Sequence, residues 1–183
     1  MIISRTPLRV SFCGGGSDLP QFYRHHGGAV LSMSIKRYVY LAMHDYFGGE
    51  GYILKYSKIE TPGRVEDIEH RILRQVFGDY GIHGVDFNSS ADVPAGTGLG
   101  SSSAFTVGLL NLCNAYLGHY ESATRLAEKA CDIELNKLGE PIGKQDQYGC
   151  ALGGMNFLTF NPDESVECEV VPITIEMRHR LES

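Results

Sequence analysis

The sequence predicts a single α+β domain over residues 1–183, and three observations support this prediction. Strand-like segments come first in the chain, helical patterns occupy its middle, and two more strand-like segments follow. Because strands and helices do not alternate regularly, a doubly wound parallel sheet is not expected. We therefore predict a mixed or antiparallel sheet that packs against helices.

The N-terminal part of the chain has the pattern of strands separated by glycine turns. Residues 2–13 are rich in β-forming side chains and stop at the glycine-rich loop 14–18. Residues 29–47 are rich in β-branched and aromatic residues with partial alternation, which favours a second strand. Residues 51–57 follow the turn at Gly48-Gly49 and resemble its hairpin partner. We expect these strands to form an antiparallel sheet.

Helical patterns follow in the middle of the chain. In residues 65–80, apolar side chains recur at three- and four-residue spacing, and Gly81 stands where a helix would end. Residues 101–117 are almost wholly apolar, as suits a buried helix, and they come after a strand-like segment at 85–92. The remaining predicted elements are a third helix at 121–138 and two strands at 155–160 and 166–171.

Composition excludes several classes of function. With 16 Lys and Arg against 22 Asp and Glu, the net charge is -6, and no basic run supplies the face that a nucleic-acid binder needs. The 5 cysteines are odd in number and contain no C-x-x-C pair, so neither a disulfide framework nor a zinc site is predicted. Neither a signal peptide nor the roughly 20 apolar residues of a membrane span is visible. We expect a soluble cytoplasmic protein whose partners include neither nucleic acid nor membrane.

The stretch "VPAGTGLGSSSAF", residues 93–105, has the chemistry of a phosphate site. Gly96, Gly98 and Gly100 let the backbone approach a ligand closely, and a helix that starts near Ser101 adds unpaired amides and a positive dipole end. The serine hydroxyls can cap the helix, bond a phosphate oxygen or bind magnesium. The stretch does not match the P-loop, the G-x-G-x-x-G fingerprint or the G-x-S-x-G elbow. Its composition alone would equally suit a plain helix cap and turn.

The order of residues 94–104, "PAGTGLGSSSA", resembles the second motif of the GHMP kinases, a family named for galactokinase, homoserine kinase, mevalonate kinase and phosphomevalonate kinase. In that family the motif wraps the phosphates of ATP. The resemblance therefore implies that ATP is a ligand of this chain. The implied contacts are Pro94, Gly96, Gly98, Leu99, Gly100, Ser101, Ser102 and Ser103.

Two further segments resemble motifs of the same family, so the resemblance covers essentially the whole chain. Residues 7–18, "PLRVSFCGGGSD", are similar to the first motif, which lies near the phosphoryl acceptor. Residues 133–147, "IELNKLGEPIGKQDQ", resemble the segment that carries the magnesium-binding glutamate and the catalytic aspartate. The implied fold is the GHMP kinase N-terminal domain, of the ribosomal protein S5 domain 2-like type. The family's third motif lies in a C-terminal ferredoxin-like half, which is absent before Ser183. We therefore expect either an incomplete chain or a separate chain that carries the remainder, and we expect the isolated fragment to be inactive.

The resemblance implies a role for each polar residue of these motifs. Asp146 is expected to orient or deprotonate the acceptor hydroxyl, and Arg9 to stabilise charge on the transferred phosphoryl group. Glu134 and Ser102 are the expected magnesium ligands, with Ser101 as the alternative serine, because Mg²⁺ prefers hard oxygen atoms. Without the motif, Asp146 would be interpreted as a cap or turn residue and Glu134 as a solvated helix residue.

The sugar is expected at the first motif. Its predicted contacts are Gly15, Gly16, Ser17 and Asp18, although Asp18 would equally suit a turn. Within the family the sequence is most similar to bacterial kinases of D-glycero-D-manno-heptose 7-phosphate, which phosphorylate the anomeric hydroxyl. A sugar phosphate requires a second anion site, and the sequence does not choose among its candidates. They are Arg24, His25, Lys36, Arg37 and Lys144.

The predicted activity is therefore ATP- and Mg²⁺-dependent phosphorylation of a heptose 7-phosphate to the 1,7-bisphosphate. One alternative is another GHMP sugar kinase, acting on fucose or galactose. A second alternative is a non-catalytic nucleotide-binding module, which the missing third motif would explain. The expected partners are ATP and a small sugar phosphate, and the sequence predicts no oligomeric state.

Overall fold

A seven-stranded mixed sheet is the framework of the protein, and the helices that pack against it confirm the predicted α+β class. The computed structural model describes residues 1–182, so Ser183, the last residue of the predicted domain, lies outside the described part. The strands are β1 (Ile2–Cys13), β2 (Gly28–Asp45), β3 (Tyr52–Lys55), β4 (Ile59–Glu60), β5 (Val85–Ala91), β6 (Met155–Phe160) and β7 (Val166–Val170). The helices are α1 (Pro20–His26), α2 (Arg71–Tyr80), α3 (Ser101–Tyr116), α4 (Ala123–Cys131), α5 (Gln145–Leu152) and α6 (Ile175–Glu182).

The long strand β2 organises the sheet because it pairs with three other strands. β1 runs antiparallel to it, from Ile2 opposite Met43 to Cys13 opposite Leu31. β6 pairs antiparallel with the first part of β2, and β5 pairs antiparallel with its last part. The order across the sheet is β4-β3-β5-β2-β6-β7, with β1 attached to β2. The predicted strands at the two ends of the domain therefore meet in one sheet.

The predicted hairpin between residues 29–47 and 51–57 is wrong. β3 pairs in parallel with β5, in a register that sets Tyr52 opposite Val85, and its other neighbour is the short β4. The two sides of β2 that a hairpin partner could use are taken by β1 and β5. A glycine turn after a strand does not decide which strand comes next in the sheet. The sheet is mixed because β3 is parallel to β5.

The predicted helix at 65–80 is divided into a 3₁₀ turn, Val65–Asp67, and α2. His70 interrupts it, because its backbone is extended and its side chain accepts a hydrogen bond from the Leu73 backbone N–H. Three short helices, α1, α5 and α6, are absent from the predicted elements. Asp146 lies in the first turn of α5.

The predicted helix at 121–138 is confirmed as helical but changes type along its length. α4 begins after Ser122, whose hydroxyl accepts from the Arg125 backbone N–H, and a π-helix continues it over Asp132–Lys137. π-Helical turns are rare and occur often at functional sites. Among the described residues, no helix is both long and apolar enough to cross a membrane.

The main core lies between the sheet and helices α2 and α3. Phe87 of β5 is fully buried, and its ring meets Phe77 of α2 and Phe105 of α3 edge-on, with centroids 6.1 and 6.0 Å apart. α3 is buried along most of its length, as its apolar sequence predicts. A smaller cluster around Tyr23 and Phe160 anchors α1 against β6. These contacts hold the N-terminus of α3 and the first turn of α5 against the same sheet.

Gly108 of α3 provides a test of this packing. A Cβ at Gly108 would lie 2.6 Å from the Thr6 Oγ1 of β1. We expect Gly108→Ala to lower the free energy of unfolding by about 1–2 kcal/mol, because overpacking outweighs the higher helix propensity of alanine. Gly78→Ala in α2 is the matched control, since nothing lies within 4 Å of that Cβ. Urea unfolding checks both, and an unchanged or higher stability of Gly108→Ala would contradict the close contact.

Candidate active site

The glycine loop between β5 and α3 forms a cradle of backbone groups. Gly96, Gly98 and Gly100 have φ values of 81°, 72° and 77°, in the left-handed region that favours glycine. α3 begins at Ser101, as predicted, and no side chain caps its first amides. A helix end of this kind binds anions through its free N–H groups and its dipole. Pro94 and Gly96 are exposed at the rim of the cradle.

The three serines at the start of α3 differ in exposure. Ser102 is exposed, Ser101 is half-buried and Ser103 is buried. Among the described residues, the Ser101 hydroxyl is a buried polar group that has no hydrogen-bond partner. A buried hydroxyl without a partner is costly, and it points to a ligand that is not part of the chain.

A cavity of about 580 Å³ adjoins this loop. Its lining includes Tyr56, His70 and Phe105, together with loop glycines and Asp146. The His70 ring stacks on Phe105 with centroids 4.9 Å apart, and Tyr56 meets His70 edge-on at 4.8 Å. The cavity therefore joins an aromatic wall, formed by these three rings, to the predicted phosphate loop. Sequence reasoning missed these rings, because they come from three separate segments of the chain and share no motif.

His70 links this cavity to protein stability. Burial lowers the pKa of His70 below its ordinary 6.5, and its neutral Nδ1 accepts the Leu73 N–H at 3.4 Å. The His70 imidazole therefore binds a proton more readily in the unfolded chain than in the folded protein. The contribution of neutral His70 to the free energy of unfolding is complete above about pH 6.5 and is lost as the pH falls toward the folded-state pKa. We expect urea unfolding to show a smaller loss of stability between pH 7.5 and 5.5 in His70→Asn than in the native protein. His119→Asn, at an exposed position, should retain the native pH dependence.

Arg9 connects the glycine loop with Asp146. Its Nε and NH2 groups donate to Asp146 Oδ1 at 2.8 and 2.5 Å, and NH1 donates to the Gly98 carbonyl at 2.9 Å. The Arg9 backbone N–H also donates to the Leu99 carbonyl at 3.1 Å. Burial raises the pKa of Asp146, and the Arg9 charge opposes this shift. The structure thus brings the two predicted catalytic residues together at the edge of the predicted phosphate loop.

Glu134 is buried in the π-helix, with 1% of its surface exposed. Its Oε1 accepts from Ser102 Oγ at 3.0 Å and Thr106 Oγ1 at 3.1 Å, and its Oε2 accepts from Ser103 Oγ at 2.8 Å and Gln147 Nε2 at 2.6 Å. Burial raises the pKa of Glu134, and the four donors oppose this shift. The solvated-helix interpretation of Glu134 is therefore wrong, and sequence reasoning missed Thr106 and Gln147 as its partners.

The predicted magnesium ligands Glu134 and Ser102 lie side by side, and both carry the hard oxygen atoms that Mg²⁺ prefers. Their oxygen atoms lie 3.0 Å apart where α3 begins, and Ser102 is exposed toward the cradle. Among the residues whose side chains the structure describes, no group of three or more His, Cys, Asp or Glu side chains could hold a metal. Mg²⁺ commonly uses one or two protein ligands and takes the others from phosphate and water.

The predicted sugar loop is held together largely by its own side chains. Ser17 Oγ donates to the Gly14 carbonyl at 2.7 Å and accepts from the Ala29 N–H at 3.0 Å. Asp18 is 2% exposed, and its carboxylate accepts hydrogen bonds within the protein. Gly15 and Gly16 are exposed. The groups of this loop that face solvent are therefore mainly the glycine backbone.

Of the five candidate anion-binding residues, the structure brings Arg24 and Lys144 together. Both bind Glu164, with Arg24 Nε 2.6 Å from Oε1 and Lys144 Nζ 2.7 Å from Oε2. Burial alone would raise the pKa of Glu164, but bonds from Lys144, Tyr23 and Arg24 lower it to about 2. Glu164 thus neutralises one of the two positive charges of this pair. His25, Lys36 and Arg37 are not part of this cluster.

A family model and curated relatives of this chain agree on its similarity to the GHMP kinases. Residues 68–154 match the GHMP kinases N terminal domain. The D-glycero-alpha-D-manno-heptose 7-phosphate kinase of Campylobacter jejuni is 31% identical, over 90% of this chain and 52% of that protein. A bifunctional fucokinase/GDP-fucose pyrophosphorylase of Arabidopsis thaliana is 30% identical, over 91% of this chain and 18% of that protein. The predicted resemblance to the GHMP kinases is confirmed.

A solved structure agrees with this family. The crystal structure of a D-glycero-D-manno-heptose 1-phosphate kinase from Bacteroides thetaiotaomicron superposes with a TM-score of 0.87 at 26% identity. The match covers 95% of this chain and 61% of that chain. The chain thus has the fold of a GHMP kinase N-terminal domain, and it spans about half the length of the heptose 7-phosphate kinase that it matches.

Proposed function

Because residues 68–154 match the GHMP kinases N terminal domain and the chain has the fold of that domain, we propose that the whole protein is an ATP-dependent sugar kinase. Its proposed reaction is phosphorylation of the anomeric hydroxyl of D-glycero-D-manno-heptose 7-phosphate to the 1,7-bisphosphate. The single observation that carries the proposal is the position of Arg9, which binds both Asp146 and the Gly98 carbonyl of the glycine loop. A candidate proton acceptor and a candidate phosphate cradle are thereby held at one point.

The proposed ATP site combines the loop and the aromatic cavity. The phosphates lie against the residues of the second motif, and the nucleobase lies against Tyr56, His70 and Phe105. The partnerless Ser101 hydroxyl and the uncapped amides of α3 support this placement. The rings offer the flat apolar faces on which a nucleobase stacks.

In the proposed reaction, Asp146 orients the anomeric hydroxyl and accepts its proton. The hydroxyl oxygen then forms a bond to the γ-phosphorus, the bond from that phosphorus to the bridging oxygen breaks, and ADP leaves. Arg9 stabilises the negative charge on the transferred group. Glu134 and Ser102 would hold Mg²⁺, which would neutralise part of the negative charge on the ATP phosphates.

The sugar is proposed to lie against the first-motif loop, where Gly15 and Gly16 are exposed. Two similar proteins support a heptose phosphate substrate, since each is named as a heptose phosphate kinase. Their names place the phosphate at different positions of the sugar. We propose the heptose 7-phosphate as the substrate. The proposed compartment is the reducing cytoplasm, which supplies ATP.

The test is coupled ADP release by the full-length protein with Mg-ATP and a panel of sugars. We expect turnover of D-glycero-D-manno-heptose 7-phosphate and little turnover of the free heptose. Robust turnover of free fucose or galactose alone would overturn the heptose phosphate assignment and favour the other sugar kinases. ATP binding without turnover of any sugar would favour the non-catalytic module.

A further inference from the structure

The carboxylate of Asp18 is engaged by three donors inside the protein. Its Oδ2 accepts the Gln145 backbone N–H at 3.0 Å, and its Oδ1 accepts the Gln145 side-chain amide at 2.9 Å and the Gly16 N–H at 3.1 Å. Only 2% of the Asp18 surface is exposed. A side chain in this state has little surface left for a hydroxyl of the sugar.

The bond to the Gln145 backbone is a helix cap supplied from a distant part of the chain. Gln145 is the first residue of α5, and its N–H is one of the amides that a helix leaves unpaired. The preceding residue, Lys144, provides no side-chain cap. Asp18 fills this role from 127 positions away, and its negative charge also suits the positive end of the helix.

The neighbouring backbone and side chains fit around this carboxylate closely. A Cβ at Gly143 would lie 1.9 Å from Asp18 Oδ2, so only glycine allows the approach. On the other side, Ser11 Oγ donates to Gln145 Oε1 at 2.5 Å. Gln145 is thus held both by the first-motif loop and by β1.

We propose that Asp18 is a positioning residue and does not contact the sugar. It caps α5 and clamps Gln145, so that the adjacent Asp146 meets Arg9. This inference rests on the proposed function only in taking Asp146 as the catalytic base. It revises the predicted role of Asp18 as a sugar ligand, because a buried and bonded carboxylate serves the helix. The loop residues Gly15 and Gly16 then carry the contacts to the sugar.

The first experiment measures amide hydrogen exchange at Gln145 in full-length Asp18→Asn. Asparagine keeps a single oxygen, which cannot accept from both the backbone N–H and the side-chain amide of Gln145, so we expect roughly tenfold faster exchange at Gln145. Asp163→Asn, in an exposed turn, is the matched control and should exchange as the native protein does. Unchanged exchange at Gln145 in Asp18→Asn would overturn the proposal, whatever sugar the protein uses.

The second experiment separates positioning from sugar binding by kinetics. With the sugar that the protein turns over, we expect kcat of Asp18→Asn to fall roughly 10- to 100-fold, since a small misplacement of the base is costly. We expect KM for the sugar to stay within about threefold of the native value. A large rise in KM with native kcat would identify Asp18 as a sugar ligand and overturn the proposal.

A double variant keeps the test decisive even if Asp18→Asn folds poorly. In Asp18→Asn/Gln145→Glu the donor and acceptor exchange places, while the new carboxylate can still accept from Ser11. We expect the double variant to regain slow exchange at residue 145 and part of the lost kcat. A sugar ligand would not be rescued in this way, so failure to recover either property would count against the clamp. If no sugar is phosphorylated, the proposed function fails, and the exchange measurements still decide the role of Asp18.

Discussion

Asp146→Asn is expected to reduce kcat by roughly 10²- to 10⁴-fold in the full-length protein, which is the usual contribution of a general base. Asparagine has nearly the same shape but cannot accept a proton at neutral pH. ATP should still bind with a Kd within about threefold of the native value, because the glycine loop and the three aromatic rings of the cavity keep their side chains. Coupled ADP release and a nucleotide-binding titration measure the two quantities.

The matched control is Asp67→Asn, in the exposed 3₁₀ turn, which should keep native activity. A variant at Asp146 that retained more than about one tenth of native kcat would be inconsistent with a role in proton transfer. Loss of ATP binding together with activity would instead indicate that Asp146 mainly holds Arg9 and the glycine loop. The two measurements therefore distinguish a role of Asp146 in proton transfer from a role in holding Arg9 and the glycine loop.

The pH profile provides an independent check on the same residue. Burial raises the pKa of Asp146 above its ordinary 3.8, and only the carboxylate form can accept a proton. We therefore expect kcat to fall on the acid side as the pH drops through this raised pKa. Asp146→Asn should lose this acid limb along with most of its activity.

Glu134→Gln is the change with the second largest expected effect. Four side chains now donate hydrogen bonds to the Glu134 carboxylate, and the amide of glutamine would place N–H groups against some of these donors. The four side chains are Ser102, Ser103, Thr106 and Gln147. We expect the free energy of unfolding to fall by about 1–3 kcal/mol, because a buried donor loses its acceptor. We also expect the Mg²⁺ concentration for half-maximal activity to rise roughly 10- to 100-fold.

Urea unfolding and a Mg²⁺ titration of ADP release separate these two consequences. Glu128→Gln on α4 is the control, since its partly exposed carboxylate pairs with Arg125 and should not affect either measurement. A variant at Glu134 with reduced stability but a native Mg²⁺ requirement would assign to Glu134 a structural role only. A native response in both measurements would contradict the burial of this carboxylate.

Much of the site was predictable because its signals are local in sequence. The glycine loop, the start of α3 at Ser101 and the strand before it follow from the order of residues 85–105. The family motifs also identified Arg9, Asp146 and Glu134 before any geometry was known. The roles of these residues stay predictions until the variants are measured.

Other features were not predictable, because they depend on which distant segments meet. The parallel pairing of β3 with β5 replaces a hairpin that the turn glycines alone would favour. The contact between Asp18 and Gln145 joins residues 127 positions apart, and the aromatic wall joins three separate segments of the chain. No periodicity or spacing within one segment records such contacts.

The sequence by itself determined the fold class, the family and the residues that carry polar chemistry. Backbone dihedral preferences, the residues that favour turns and the spacing of apolar side chains each depend on only a few neighbouring residues. They can therefore be inferred without a structure. Only the tertiary structure decided that Glu134 is buried, that Asp18 caps α5 and that Arg9 joins Asp146 to the glycine loop. These outcomes depend on burial and hydrogen-bond geometry, which exist only once the sheet has brought separate segments together.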